Sequence, residues 1–409
     1  MLKRSLAVVL WLAVMLSLFG CGGNNQTVSD SYNYLTDAQI VNTFDIGKVN
    51  IAKSPQGYYI YVDGKMYFVD GTSFEATPLC SKPNCLHSGD NCSAVVKGIS
   101  DIAYSDGYIY YISSTGPEKE FMGSYLVKHS ADGSTRENVY YIEKDILDFI
   151  IHRGYFYFSS REFEVDESTG LPDIDNYDTY IYRLALDGSS KEEEEIYFAE
   201  EVEKYGQISG LMAYGDNLYF DLHGTKRGSK NEDILKCMRM NLTTFEVNEM
   251  VTPSGFMLAR PRLFGESLVF TSGENENGKY FYYKTDFSGE NPEKFFETFE
   301  GESIICDGKY LYVDNFYTLA MPHTIEENDS VKSDCRYIKV YDENLDLIDE
   351  FSFGSGSAET WFILPLDSEV FLFGGKSKEC DIIFYYDKSE FGTLNGKEWE
   401  KKFSYKEVN

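Results

Sequence analysis

Positive charge is in short supply. In 409 residues, 37 Lys and Arg stand against 67 Asp and Glu, a formal net charge of −30. A surface that acidic repels the phosphates of nucleic acid and of anionic lipid headgroups, which excludes DNA and RNA as partners. Proline (10), histidine (5) and tryptophan (3) are also sparse. The chain has neither a G-x-S-x-G elbow nor an H-E-x-x-H pair, so the usual signatures of serine hydrolases and zinc peptidases are missing. Its nearest phosphate loop, GENENGKY at 273–280, has Tyr280 where Ser or Thr is required, and its two glutamates would repel phosphate. The carboxylate-rich stretch 162–178 lacks the glycine and terminal glutamate of an EF-type calcium loop and reads as a solvated loop.

A long hydrophobic run occurs at the start, from Leu6 to Phe19 behind Lys3 and Arg4. It is too short for a comfortable membrane span and fits an export signal. It ends in LFGC, residues 18–21, which resembles the lipobox of bacterial lipoproteins. That resemblance implies cleavage after Gly20 and acyl chains of the palmitate class on Cys21. Two such chains suffice for stable anchoring, where one is marginal. The expected location is the extracytoplasmic face of a bacterial cell membrane. The alternative is an ordinary secretory signal that happens to precede a cysteine. The expected layout is a signal peptide over 1–20, a flexible tether over 21–32 and a single domain over 33–409.

Aromatic residues are plentiful, with 33 Tyr and 29 Phe, and they favour pleated, half-buried surfaces. They recur in one phrase: a hydrophobic stretch, a glycine turn, then alternating aromatics. Examples are IAYSDGYIYYISS, FIIHRGYFYFSS, LMAYGDNLYFDL and IICDGKYLYVDN. The turns fall at Gly57, Gly107, Gly154, Gly215, Gly265 and Gly308, with Asp367-Ser368 in the seventh place. A second strand phrase closed by a polar turn follows in most units, as in YLVKHSADGS. Four strands in a repeat of roughly fifty residues make a propeller blade. The expected fold is therefore an all-β, seven-bladed propeller of four-stranded antiparallel blades. Six blades, with a terminal unit serving as closure, is the alternative.

The LYFD of 218–221 and the LYVD of 311–314 are similar to the repeats of YWTD-type and TolB-like propellers. With the lipobox, the chain resembles bacterial β-propeller lipoproteins. That resemblance extends over most of the chain and implies the fold.

First and third turns of the units are short, whereas the second loops are long and varied, so one end of the disc is expected to be the working face. His223, Lys226 and Arg227 lie in one such loop and His323 in another, where they could meet an anionic ligand. The expected role is binding or scaffolding through contact with a protein or glycan of the cell envelope. The alternative is a surface enzyme acting on glycosides or peptides at the central channel mouth.

TPLCSKPNCLHSGDNCSA, residues 77–94, stands apart from the repeats. It holds Cys80, Cys85, His87 and Cys92 in the spacing C-x4-C-x-H-x4-C. Three thiolates and an imidazole complete a tetrahedral set for one structural zinc. An exported chain also oxidises its thiols, so a disulfide among the three cysteines is the competing outcome. The segment follows the fourth strand of the first unit and is expected near the channel mouth. Cys237, Cys306, Cys335 and Cys380 lie in or beside strand phrases and are expected to be buried thiols.

Overall fold

The computed structural model describes residues 50–403 apart from 63, 74, 97, 114–122, 166–171, 230–231, 251–260, 277–278, 300–301, 316–335, 354–359, 366–368, 377–378 and 393–400. The described strands form seven four-stranded antiparallel sheets, over 50–78, 99–142, 145–198, 202–249, 262–299, 303–353 and 360–403, numbered here sheets 1 to 7. Each sheet consists of four strands consecutive in the chain. The architecture is an all-β propeller in which the first strands of sheets 1 to 4 run beside one another in turn, as do those of sheets 5 and 6.

Local sequence explains the hairpins. The first turn of sheet 2 is Asp106-Gly107, with φ of 47° and 81°, and that of sheet 3 is Arg153-Gly154, with φ of 48° and 78°. Two successive positive φ angles define the mirror-image turn whose twist matches that of the flanking strands.

The alternating aromatics serve two cores at once. In sheet 3, Phe156 and Phe158 pack with Tyr110, Ile112 and Leu126 of sheet 2, while Tyr157 between them packs with Leu218 and Phe220 of sheet 4. Both faces of a middle strand are thus covered, whereas the alternation alone suggests one buried face. Similar layers lie between sheets 1 and 2, 4 and 5, and 5 and 6. Each large apolar side chain buried in these layers contributes about 1.5–3 kcal/mol. Polar latches supplement them. The Tyr59 hydroxyl donates to the Ala131 carbonyl at 3.0 Å, and Tyr219 donates to the Phe287 carbonyl at 2.9 Å. Both tyrosines stand two residues beyond the closing pair of a first hairpin, and both reach the third turn of the following sheet.

Connection lengths refine the expected asymmetry. Second connections run from Ser113 to Ser124 in sheet 2 and from Asp314 to Arg336 in sheet 6. In sheets 3 and 4 much of the expected loop is strand instead, because the hairpins continue to Val165–Pro172 and Lys226–Asp233. In sheets 1, 5 and 7 the second connections are tight, at Val62–Lys65, Glu276–Lys279 and Lys376–Glu379.

Candidate metal centre

The segment 79–98 connects sheet 1 to sheet 2. Leu79, Ala94 and Val96 are buried, and Leu79 and Val96 plug the core between the two sheets. The chain between them leaves and returns at one residue. The Leu79 amide donates to the Met66 carbonyl at 2.9 Å, and the Met66 amide donates to the Ala94 carbonyl at 2.8 Å. Residues 80–93 are therefore an excursion whose two ends are pinned side by side.

Within it, Asn84 and His87 adopt left-handed backbone, with φ of 59° and 51°. Asn and His are among the non-glycine residues that tolerate this region best. The two reversals fold the chain back on itself and bring the Cys/His side chains together. The Sγ atoms of Cys80, Cys85 and Cys92 and a ring nitrogen of His87 all lie within 4.8 Å of one another. Cys92 Sγ is 3.6 Å from His87 Nδ1. Zinc–sulfur bonds of about 2.3 Å and zinc–nitrogen bonds of about 2.0–2.1 Å give tetrahedral edges of roughly 3.5–3.8 Å, so small inward shifts suffice. The three cysteines are free thiols. From Ser81 to Asn91, Cys85 and His87 are the residues shielded from solvent, while Leu86 between them is 90% exposed. The loop thus turns its ligand atoms inward and its one large apolar side chain outward.

The electrostatics distinguish the thiols. Burial opposes ionisation of Cys80, but hydrogen bonds from the Ser93 hydroxyl, the Lys82 amide and the neighbouring thiols outweigh it and hold Cys80 at about 6. Cys92 is raised, first by burial and then by the adjacent Cys85 and Cys80. A thiolate available near neutral pH is the form a metal ligates.

The location departs from the expected channel mouth. The Ser81 amide donates to the Gly133 carbonyl at 3.3 Å, and the Ser93 hydroxyl lies 2.8 Å from the same oxygen. Arg136 Nη1 donates to the carbonyls of Ser93, at 3.1 Å, and of Val95. Gly133 lies in the turn between the third and fourth strands of sheet 2 and Arg136 opens the fourth strand, so the cluster sits on the outer side of the fold, between sheets 1 and 2. Each strand of a sheet is rotated about 20–25° from the last, so by the outer strands the ends of neighbouring sheets lean toward each other. A crossover read as lying beside the axis therefore meets the next sheet at its rim. Ser93, Gly133 and Arg136 were not marked by the sequence, where ADGS looks like any other polar turn.

The basic residues of the sheet 4 hairpin are engaged within the protein. His223 Nε2 lies 2.9 Å from Gln207 Oε1, and Lys226 pairs with Glu232 at 2.5 Å. Arg227 pairs with Asp178 of sheet 3 at 2.7 Å and donates to the carbonyls of Glu200 and Val202. These contacts stitch the extended hairpins of sheets 3 and 4 together. Cys21, His323 and Cys335 lie outside the described residues. Cys237 and Cys306 are fully buried free thiols, as expected, and Cys237 Sγ lies 3.5 Å from Met250 Sδ.

No protein-family model matches the chain, and no curated protein does. Solved structures do. The chain is similar to a prolyl endopeptidase, with 11% identity, a TM-score of 0.53, and coverage of 86% of this chain and 48% of that one. It is also similar to the S511A mutant of puromycin hydrolase, with 8% identity, a TM-score of 0.53, and coverage of 89% and 55%. The chain thus spans about half the length of these two enzymes. TolB from Acinetobacter baumannii is similar over 84% of this chain and 77% of its own, with 16% identity and a TM-score of 0.39. At such identities the likeness concerns the fold alone.

Proposed function

We propose that this protein is an exported propeller, held at the outer face of a bacterial membrane by acyl chains on Cys21, that binds or scaffolds an envelope protein or glycan. The observation that carries this reading is the distribution of chain between strands. Sheets 2 and 6 have their long connections on the end opposite the tight first turns, and sheets 3 and 4 extend their hairpins at that same end. A rigid scaffold with variable segments at one end is the usual arrangement for recognition. The strong negative charge favours a neutral or basic partner. One structural zinc at Cys80, Cys85, His87 and Cys92 belongs to this reading: a complete four-ligand set leaves no open position for substrate, so the metal holds structure rather than performing chemistry.

The test uses the purified mature chain immobilised against solubilised envelope proteins and cell-wall polysaccharide. Replacing 114–122 and 316–335 with short Gly-Ser linkers should abolish retention of the partner and leave the thermal unfolding midpoint within a few degrees of the parent. Undiminished retention would refute recognition by this end. Anchoring is tested separately: Cys21→Ala should move the protein from the membrane fraction to the medium and abolish incorporation of labelled palmitate.

A further inference from the structure

Building on the zinc reading above, we propose that metal occupancy of the Cys80–Cys92 centre controls the docking of the outer turn of sheet 2, residues 130–136, onto sheet 1. Two donors from opposite ends of the excursion converge on one acceptor. The Ser81 amide follows Cys80, the Ser93 hydroxyl follows Cys92, and both address the Gly133 carbonyl. The Met66 hydrogen bonds to Leu79 and Ala94 hold the base of the excursion, and a metal held by both thiolates fixes the remaining freedom in the spacing between these donors. On binding, the ion exchanges its waters for three sulfurs and one imidazole nitrogen, and the thiols release their protons to solvent.

Little else orders the excursion. It contains no strand, and most of it from Ser81 to Asn91 is exposed. Its internal support is a few hydrogen bonds, such as Lys82 Nζ to the Asn91 carbonyl and the Cys92 amide to the Gly89 carbonyl. Closing so polar a loop is entropically unfavourable without a cross-link. The metal is that cross-link, and its effect passes to the next sheet. Gly133 is shaped to receive it: its φ is +71°, and a β-carbon there would lie 2.7 Å from the Cys80 amide nitrogen. Arg136 completes the contact by holding the Ser93 and Val95 carbonyls. A thiolate-rich set selects Zn2+, Cd2+ or Co2+ over Mg2+ and Ca2+.

Amide hydrogen exchange of the full mature chain, zinc-loaded, chelated and reloaded, tests this, with bound zinc quantified in each sample. Chelation should speed exchange in 130–136 on the order of tenfold and leave sheets 4 and 5 unchanged, and zinc should reverse the change. Arg136→Met, which removes the grip on the Ser93 and Val95 carbonyls, should retain zinc yet exchange rapidly at 130–136 even when loaded. Zinc bound with acceleration confined to 81–93 would overturn the coupling and leave the metal centre standing. Acceleration in every sheet would overturn it as well, by showing general unfolding. A chain that holds no zinc would sink the metal centre and the coupling together.

Discussion

The Ser93 hydroxyl oxygen lies 2.8 Å from the carbonyl oxygen of Gly133, forty residues along the chain and in the turn of a different sheet. This contact joins the non-repetitive segment to the repetitive fold. The Cys/His cluster is therefore part of the junction between two sheets, and substitutions at that junction separate strain from contact.

Gly133→Ala should be more damaging than Gly107→Ala. Both glycines have left-handed backbone, at +71° and +81°, but a β-carbon at Gly107 meets nothing within 4 Å, whereas at Gly133 it meets the backbone of Leu79 and Cys80. Gly107→Ala thus reports backbone strain alone, on the order of 1 kcal/mol, and Gly133→Ala should cost at least about 1 kcal/mol more. Urea unfolding of both variants measures the difference, and equal losses would contradict close packing of the turn on the cluster.

Lys388 and Asp307 form a buried ion pair at 2.5 Å between sheets 7 and 6, and Asp307 also accepts from the Tyr312 hydroxyl at 2.6 Å. Lys388→Met would strand a carboxylate out of water and should cost about 3–5 kcal/mol. Lys388→Met with Asp307→Asn should recover most of that loss. A double variant no more stable than the single one would show that the pair is not the source of the effect.

His129 is fully buried against the edge of Tyr111, and neither of its ring nitrogens has a hydrogen-bond partner among the described residues. Burial, then the Arg136 charge, depresses it to about 4. The unfolded chain takes up this proton near 6.5, so between pH 6.5 and 4 the unfolded state holds more protons and stability falls as pH falls. The total loss is about 3 kcal/mol. His129→Phe should remove this component. Denaturant midpoints of the metal-free proteins at pH 7.5 and 4.5 provide the comparison, and parallel losses in parent and variant would exclude His129 as the origin.

Tyr59→Phe and Tyr219→Phe each remove a hydroxyl that bridges two sheets. Each should cost about 1 kcal/mol, and the two losses should add because the sites lie in different junctions. Losses that fail to add would indicate coupling around the propeller that the separate core layers do not suggest.

The repeat was legible because glycine turns and alternating aromatics are local signals, each completed within one hairpin. Asp106-Gly107 is one such signal, and its paired positive φ angles match it. The Cys/His cluster was legible as well, since Cys80, Cys85, His87 and Cys92 lie close together in sequence and their side chains meet in the fold. What could not be read was their surroundings. The contact with Gly133 and Arg136 depends on how far successive strands twist, a property of the assembled sheets. The two-sided burial at Phe156, Tyr157 and Phe158 was hidden for a similar reason: strands covered on both faces lose the polar half of the alternation. Lys388, within an ordinary-looking DKSE, gives no sign of burial, because its partner Asp307 is eighty-one residues away.

X-ray absorption at the zinc edge, on mature protein purified with its metal, addresses the metal centre most directly. The expected result is one zinc per chain with three sulfurs at about 2.3 Å and one nitrogen at about 2.0–2.1 Å. A shell of oxygen and nitrogen alone, or thiols fully oxidised with no metal retained, would contradict it.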